Sequence, residues 1–447
     1  MMRVLLVGNG AREHVLAETI VRSTHTPSLY AYMKANNPGI TALSREIRIG
    51  PYGNPEPIVR FAKDMEISLA VIGPEDPLNN GIADALLASG IPVVGPLKEL
   101  ARLETSKSFT RNLVRKYGID GNPPYRTFTS PDGIASFLEE IGEAVLKPDG
   151  LTGGKGVLVQ GEHFTTTGEA LKHCREILRE HPSVTVEEKL EGEEFSLQCF
   201  CDGTTVVPMP AVQDHKRRFA GDTGPNTGGM GSYSCEDHLL PFLQHRDVRE
   251  GLEITRRVAE ALRIETGKPY RGILYGGFMV TRKGIRLLEY NARFGDPEAM
   301  NVLPLLETDF IDLCRAITEG TLDRLPVSFQ RRATVCKYIV PRGYGLPKDH
   351  PDASSTSARI EVGDVGKGRI YYSSVDRREE GLYMTSSRAI GVVGMAETVQ
   401  EAERIAENAV SSVVGPVDHR PDIGTEALIR RRVEHIRKIR SENLTSA

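Results

Sequence analysis

Val4-Leu5-Leu6-Val7-Gly8-Asn9-Gly10-Ala11-Arg12-Glu13 opens the chain with an apolar run, a glycine-bearing turn and the start of an amphipathic segment over residues 11–23. A short apolar run closed by glycine and followed by helical spacing predicts a strand–turn–helix unit. Residues 69–72 and 91–94 repeat the pattern: each is an apolar run followed by Gly-Pro, and a helix is predicted between them over 83–88. Such alternation predicts a parallel sheet with helices on both faces. Ligands of these sheets gather outside the carboxyl ends of the strands, where Gly8 to Glu13, Gly73-Pro74-Glu75 and Gly95-Pro96 fall.

The first turn invites comparison with the Rossmann dinucleotide fingerprint, GxGxxG with an acidic residue about 20 positions on. Gly8 and Gly10 fit, but Glu13 stands at the third glycine, and Tyr32, Met33 and Lys34 offer no carboxylate for a ribose. NAD binding is therefore disfavoured, although the domain reads as Rossmann-like. Two readings of the turn remain open on the local sequence. Glycine there supplies backbone freedom for a tight turn, or a phosphate rests on the helix N-terminus with Arg12 as counter-charge.

Beyond a helix predicted over 106–117 the periodicity changes. Residues 144–147, 157–160, 185–190, 194–201 and 205–212 read as strands, with Asp202-Gly203 turning one hairpin and Lys283-Gly284 joining another over 273–280 and 285–290. A glycine-dense loop over 220–231 and a helix over 248–263 lie between them. This is an α+β region with mainly antiparallel pairing. Further strands are predicted at 334–340, 359–362, 370–373 and 390–393, then helices at 399–413 and 426–440. The last helix is strongly basic; with no aromatic residues interleaved, it reads as a solvated surface rather than a nucleic-acid site.

Four segments carry candidate chemistry. Lys147 sits in the run Ala144-Val145-Leu146-Lys147, ahead of Pro148-Asp149-Gly150-Leu151-Thr152-Gly153-Gly154-Lys155-Gly156. In isolation this is an exposed lysine beside an ordinary loop; with a polyphosphate nearby, lysine and glycine-rich backbone suit it. Glu187-Glu188-Lys189-Leu190-Glu191-Gly192-Glu193-Glu194 is either solvated acid or a strand end able to meet a base and a ribose. In Leu288-Glu289-Tyr290-Asn291-Ala292-Arg293-Phe294-Gly295-Asp296-Pro297-Glu298, period-two alternation puts Glu289, Asn291 and Arg293 on one face. A carboxylate and an amide oxygen there suit Mg²⁺, and Arg293 suits charge on a transferring phosphoryl group. Finally, Gln213-Asp214-His215-Lys216-Arg217-Arg218 precedes Gly221-Asp222-Thr223-Gly224-Pro225-Asn226-Thr227-Gly228-Gly229-Met230-Gly231, whose five glycines suggest close backbone approach to a ligand.

In this order the segments resemble the ATP-grasp superfamily and, within it, the phosphoribosylamine–glycine ligases (glycinamide ribonucleotide synthetases). The runs QDHKR, DTGPNTGGMG and NARFGDPE are highly specific together, and the resemblance spans nearly the whole chain. It implies three domains: an N-terminal Rossmann-like, phosphoribosylamine-binding domain over residues 1–103; a central ATP-grasp domain over 104–322 with the nucleotide, metal and glycine sites; and a small mixed C-terminal domain over 323–447. It also implies ATP- and Mg²⁺- (or Mn²⁺-) dependent ligation of glycine to 5-phosphoribosylamine through glycyl phosphate. The products are glycinamide ribonucleotide, ADP and phosphate, in purine biosynthesis. By motif, Lys107, Lys147 and Lys155 would face the ATP phosphates, Glu187 and Leu190 the adenine, and Glu194 the ribose. Glu289 and Asn291 would hold the metal. Arg293 and Lys216 would act on the reacting groups, Asp214 and Asp296 would hold substrate, and Gly10, Arg12, Glu13 and Glu75 would meet the phosphoribosyl group. No acidic residue occurs in 273–280, where several relatives carry a further metal ligand, so this segment implies no second ion.

Size and composition agree with such an enzyme. At 447 residues the chain exceeds one core and predicts two or three domains. A net charge of -4 gives no whole-chain reason to expect nucleic acid or anionic membrane. Six scattered cysteines without a CxxC pair predict reduced thiols, and no run approaches the roughly 20 apolar residues of a membrane helix. The expectation is a cytoplasmic enzyme, a monomer or weak homodimer. A formate- or bicarbonate-using ligase of the same superfamily is disfavoured by QDHKR and NTGGMG, and a non-catalytic nucleotide-binding module by Glu289, Asn291 and Arg293 on one face.

Overall fold

The computed structural model describes residues 2–150, 156–347, 349–355 and 357–441. The opening apolar run forms β1 (Arg3–Val7), and β2 (Ser28–Met33), β3 (Glu46–Ile49), β4 (Leu69–Ile72) and β5 (Val93–Val94) join it in the order β3-β2-β1-β4-β5. Every pairing is parallel. Val4 to Val7 are all buried, including residues that point to opposite faces, so both faces of the sheet are covered as expected. β2 and β3 escape the sequence pattern because neither is an uninterrupted aliphatic run closed by glycine.

The remainder is built of antiparallel sheets. Tyr125–Phe128, Val184–Glu188, Ala144–Pro148 and Leu158–Val159 form one in that order. Its own small core includes Phe137, Leu146, Cys174 and Val184. A second runs Val206–Pro208, Glu193–Cys201, Gly272–Thr281 and Gly284–Asn291, packed against the helix His245–Thr266. A third joins Gln213–Asp214 and Gly231–Ser234 to Ala333–Pro341, Ile390–Ala396 and Arg369–Tyr372, and the helix Val399–Val410 covers it. This third sheet mixes strands from either side of residue 323, so the C-terminal part is tied directly to the glycine-rich segment.

Three expectations are corrected. Residues 205–212 are not one strand: Val206–Pro208 ends early, and the chain changes sheets to begin Gln213–Asp214. The glycine-dense stretch is not wholly a loop, since Thr223–Asn226 pairs antiparallel with Arg217–Phe219. The basic helix, Glu426–Ser441, is only partly solvated. Arg432 pairs with Glu193 at 3.2 Å and Asp222 at 2.5 Å, His435 lies 2.6 Å from Glu193, and Arg440 pairs with Asp247 at 2.5 Å. These charges serve the fold. The six cysteines are buried and unbridged, and no helix among the described residues is long and apolar enough to cross a membrane.

Candidate active site

A cleft of about 420 Å³ opens where the three regions meet, and the hairpin ending in Asn291 forms its floor. Glu289, Asn291 and Arg293 all line it, as alternation predicts. Across the hairpin Glu289 faces Gly277, so the neighbouring strand adds no side chain beneath the carboxylate. Among the described residues the side chains of Glu289 and Asn291 have no hydrogen-bond or ion-pair partner, which leaves two hard oxygen donors turned into the cleft. That donor set fits Mg²⁺. Burial works against the Glu289 charge, but Lys216, Lys147, Lys107 and Arg293 hold its carboxyl below the usual range.

Arg293 is fixed from two sides. It pairs with Glu104 at 2.9 Å and Glu75 at 3.1 Å. Burial opposes its charge, yet these carboxylates raise its pKa above the ordinary arginine value. Partial desolvation opposes the charge of half-buried Glu75, but Arg293 and Arg12 hold its carboxyl down to about 2. Arg12 donates to Glu13 at 2.5 Å and to the Phe294 carbonyl at 3.1 Å, while Glu13 accepts from the Gly10 amide at 2.6 Å. The first turn and Glu75 therefore meet Arg293-Phe294, just ahead of Gly295-Asp296-Pro297-Glu298. A Cβ on Gly10 would sit 3.8 Å from Asp296.

Lys107 is the first residue of the helix Lys107–Lys116, capped by Ser106, and its Nζ donates to the Gly150 carbonyl at 2.6 Å. Asp149 accepts from Ser106 and Ser108 at that same helix start. The Asp149-Gly150 start of the predicted lysine loop is thus tied to this helix start. Lys155 lies outside the described residues. Lys147 is buried and pairs with Glu187 at 2.7 Å; burial and nearby Arg111 hold its pKa below the usual lysine value despite Glu187. Glu187 is itself buried and takes a two-pronged bond from Arg111, at 2.7 and 2.8 Å. Burial opposes its ionisation, but Arg111 and Lys147 bring it down to about 2. Its carboxylate therefore orients a lysine and an arginine.

Asp214 and Lys216 line the opposite wall, and Lys216 reaches Glu194 at 3.2 Å. Leu190 falls in the turn between Val184–Glu188 and Glu193–Cys201. Burial raises Asp214 to about 7, an effect Lys216 opposes and Glu298, Glu194 and Glu289 reinforce. A carboxyl whose folded pKa lies above its unfolded value stabilises the fold most below the unfolded pKa, and loses that contribution as pH rises through the folded value. Asp214→Asn is thus expected to gain thermal stability relative to wild type between about pH 4 and 7. Parallel melts at the two ends of that window check this; an unchanged difference would refute it. His215, buried and lowered to about 4 by its burial, is structural.

Sequence reasoning missed five charged residues of the cleft: Asp76, Glu104, Arg111, Glu298 and Arg388. Arg388 pairs with Asp296 at 3.1 Å and donates to the Gly228 and Asp296 carbonyls at 2.6 and 2.9 Å. It thereby ties the glycine-rich segment to GDPE from the C-terminal region. No motif announces it; an isolated arginine before an apolar strand looks like surface.

A Rossmann-like sheet, two antiparallel sheets around a cleft, and lysines, acid and amide converging there define an ATP-grasp ligase. Family models agree along the chain: the phosphoribosylglycinamide synthetase N domain matches residues 2–104, the ATP-grasp (A) domain 105–299 and the C domain 334–426. The chain belongs to the phosphoribosylamine–glycine ligase family. It is 49% identical over 439 residues to the phosphoribosylamine–glycine ligase of Methanosarcina barkeri, covering 98% of this chain and 100% of the relative. The Methanopyrus kandleri enzyme of that name is 44% identical, with 99% and 100% covered. Among solved structures, the phosphoribosylamine–glycine ligase of Thermotoga maritima superposes with a TM-score of 0.79 at 28% identity, covering 94% of this chain and 100% of that one. Biotin carboxylase from Campylobacter jejuni shares the fold at 15% identity, with a TM-score of 0.73 and 98% of each chain covered.

Proposed function

We propose that this chain joins glycine to 5-phosphoribosylamine at the expense of ATP, yielding glycinamide ribonucleotide, ADP and phosphate, as a step of purine biosynthesis. The observation that carries the reading is the unpartnered Glu289–Asn291 pair in one cleft with Lys107, Lys216 and Arg293. The glycine carboxylate attacks the γ-phosphorus, ADP departs, and glycyl phosphate forms. The amine of phosphoribosylamine then attacks the acyl carbon and loses a proton as phosphate leaves. Most of the catalysis is positioning and charge stabilisation.

Lys107 and Lys147, with Lys155, hold the ATP phosphates; Glu187 and Leu190 border the base, with the Glu187 carboxylate also orienting Lys147, and Glu194 takes the ribose. Glu289 and Asn291 hold Mg²⁺ (or Mn²⁺), which neutralises phosphate charge when bound. Arg293 faces the transferring phosphoryl and acyl phosphate groups, and Lys216 the reacting carboxylate. Asp214 and Asp296 position glycine, while Gly10, Arg12, Glu13 and Glu75 face the phosphoribosyl group. Domain limits of 1–103, 104–322 and 323–447 and a monomeric or weakly dimeric cytoplasmic enzyme complete the proposal. Purified protein is expected to release ADP from Mg²⁺-ATP only when glycine and freshly generated 5-phosphoribosylamine are both present. Turnover with another acid or amine, and none with this pair, would sink the named substrates.

A further inference from the structure

Of the three loops at the carboxyl ends of the first sheet, Gly95-Pro96 departs from the others. Gly95 lines a second cavity of about 340 Å³, on the far side of the strand end, between the helix Ile82–Ala88, β5 and residues 268–271. Its walls are apolar: Ala83, Leu87, Val93, Leu97 and Pro269. The volume falls in the range of roughly 300–1,000 Å³ typical of small-molecule sites.

Two cations reach this cavity. Lys268 is neutralised by Glu99 at 2.6 Å. Arg271 is not: its Nε is enclosed without an acceptor, and among the described residues its guanidinium has neither hydrogen bond nor ion pair. Its Nη2 lies beside Gly320, at the C-terminal end of the helix Phe310–Glu319, whose negative end favours the cation without supplying an acceptor. The Arg271 carbonyl is held by the Gly95 amide at 3.0 Å, so the residue is fixed at the seam between β5 and the strand Gly272–Thr281. Arg271 is half-buried and lines the cavity; a guanidinium without an acceptor leaves its donors unsatisfied, and its planar fork matches a carboxylate through two parallel bonds.

We propose that this cavity is a second ligand site, taking a small carboxylate with a compact apolar body. The carboxylate sits on Arg271 and the body against Leu87, Val93 and Leu97. The inference does not rest on the reaction proposed for the main cleft.

The test titrates hexanoate calorimetrically into full-length protein held at saturating Mg²⁺-ATP, with hexanol and inorganic phosphate as separate arms. Hexanoate is expected to bind one site, and Arg271→Gln to weaken it at least about tenfold while leaving hexanol unchanged. Leu87→Asp, at a position 48% exposed and tolerant of change, is expected to weaken hexanoate as well; it decides the matter if Arg271→Gln does not fold. Phosphate binding as tightly as hexanoate would overturn the apolar part of the assignment. No hexanoate binding, or binding indifferent to both substitutions, would overturn the site.

Discussion

Glu289→Ala is expected to lower turnover by on the order of a thousandfold while leaving the thermal midpoint near that of wild type. The carboxylate has no partner among the described residues, so its removal breaks no ion pair and orphans no donor. It lines the cleft floor beside Asn291, where the metal is proposed to sit. A metal on transferring phosphoryl groups is worth several kcal/mol of charge stabilisation, and each 1.36 kcal/mol is tenfold in rate. Losing one of two protein ligands should forfeit most of that at ordinary Mg²⁺. ADP release by wild type and variant across a wide Mg²⁺ range separates the cases. A defect rescued by excess metal marks a binding role; a variant as fast as wild type at low Mg²⁺ would remove Glu289 from the site. The same substitution separates this enzyme from a passive nucleotide-binding module, which would retain ATP without needing the residue.

That residue was legible in the sequence because alternation is a local rule: Glu289, Asn291 and Arg293 share a face whatever the rest of the chain does. The parallel sheet was legible for the same reason at β1 and β4, where aliphatic runs end in glycine. Its other side was not, because Ser28–Met33 mixes serine, tyrosine and methionine and Glu46–Ile49 alternates charge with isoleucine, so neither reads as an aliphatic run. The missed charges follow the same logic. Glu104, Arg111 and Arg388 gain meaning only from partners at 292 and 293, at 187, and at 228 and 296. No spacing rule joins residues so distant. Glu187 shows the converse: a local motif located the cleft, while the Arg111 and Lys147 that engage its carboxylate lie far away in sequence.

Arg111→Met is expected to destabilise the protein by about 3–5 kcal/mol, the usual consequence of removing one partner from a buried ion pair. Arg111 and Glu187 are each about 3% exposed, and the guanidinium also donates to the Leu287 and Leu288 carbonyls at 2.8 and 2.9 Å. Without it, the Leu287 carbonyl loses that donor, the Leu288 carbonyl keeps only Lys147 at 3.1 Å, and Glu187 keeps only Lys147, itself a candidate phosphate ligand. The defect should therefore extend to nucleotide affinity, since a lysine drawn to an uncompensated carboxylate is less available to phosphate. Replacing both partners, Arg111→Met with Glu187→Met, removes the orphaned charge and should recover much of the loss. The pH dependence has a definite sign. Glu187 is depressed from 4.5 to about 2 in the fold, so its contribution is present above the unfolded value and fades as pH falls through the folded one. The gap between wild type and Arg111→Met should accordingly narrow from pH 4.5 downward. Thermal melts of the two single variants and the double variant at neutral and acid pH test each step. If the double variant were no more stable than Arg111→Met, the loss would lie in the freed carbonyls rather than in the carboxylate.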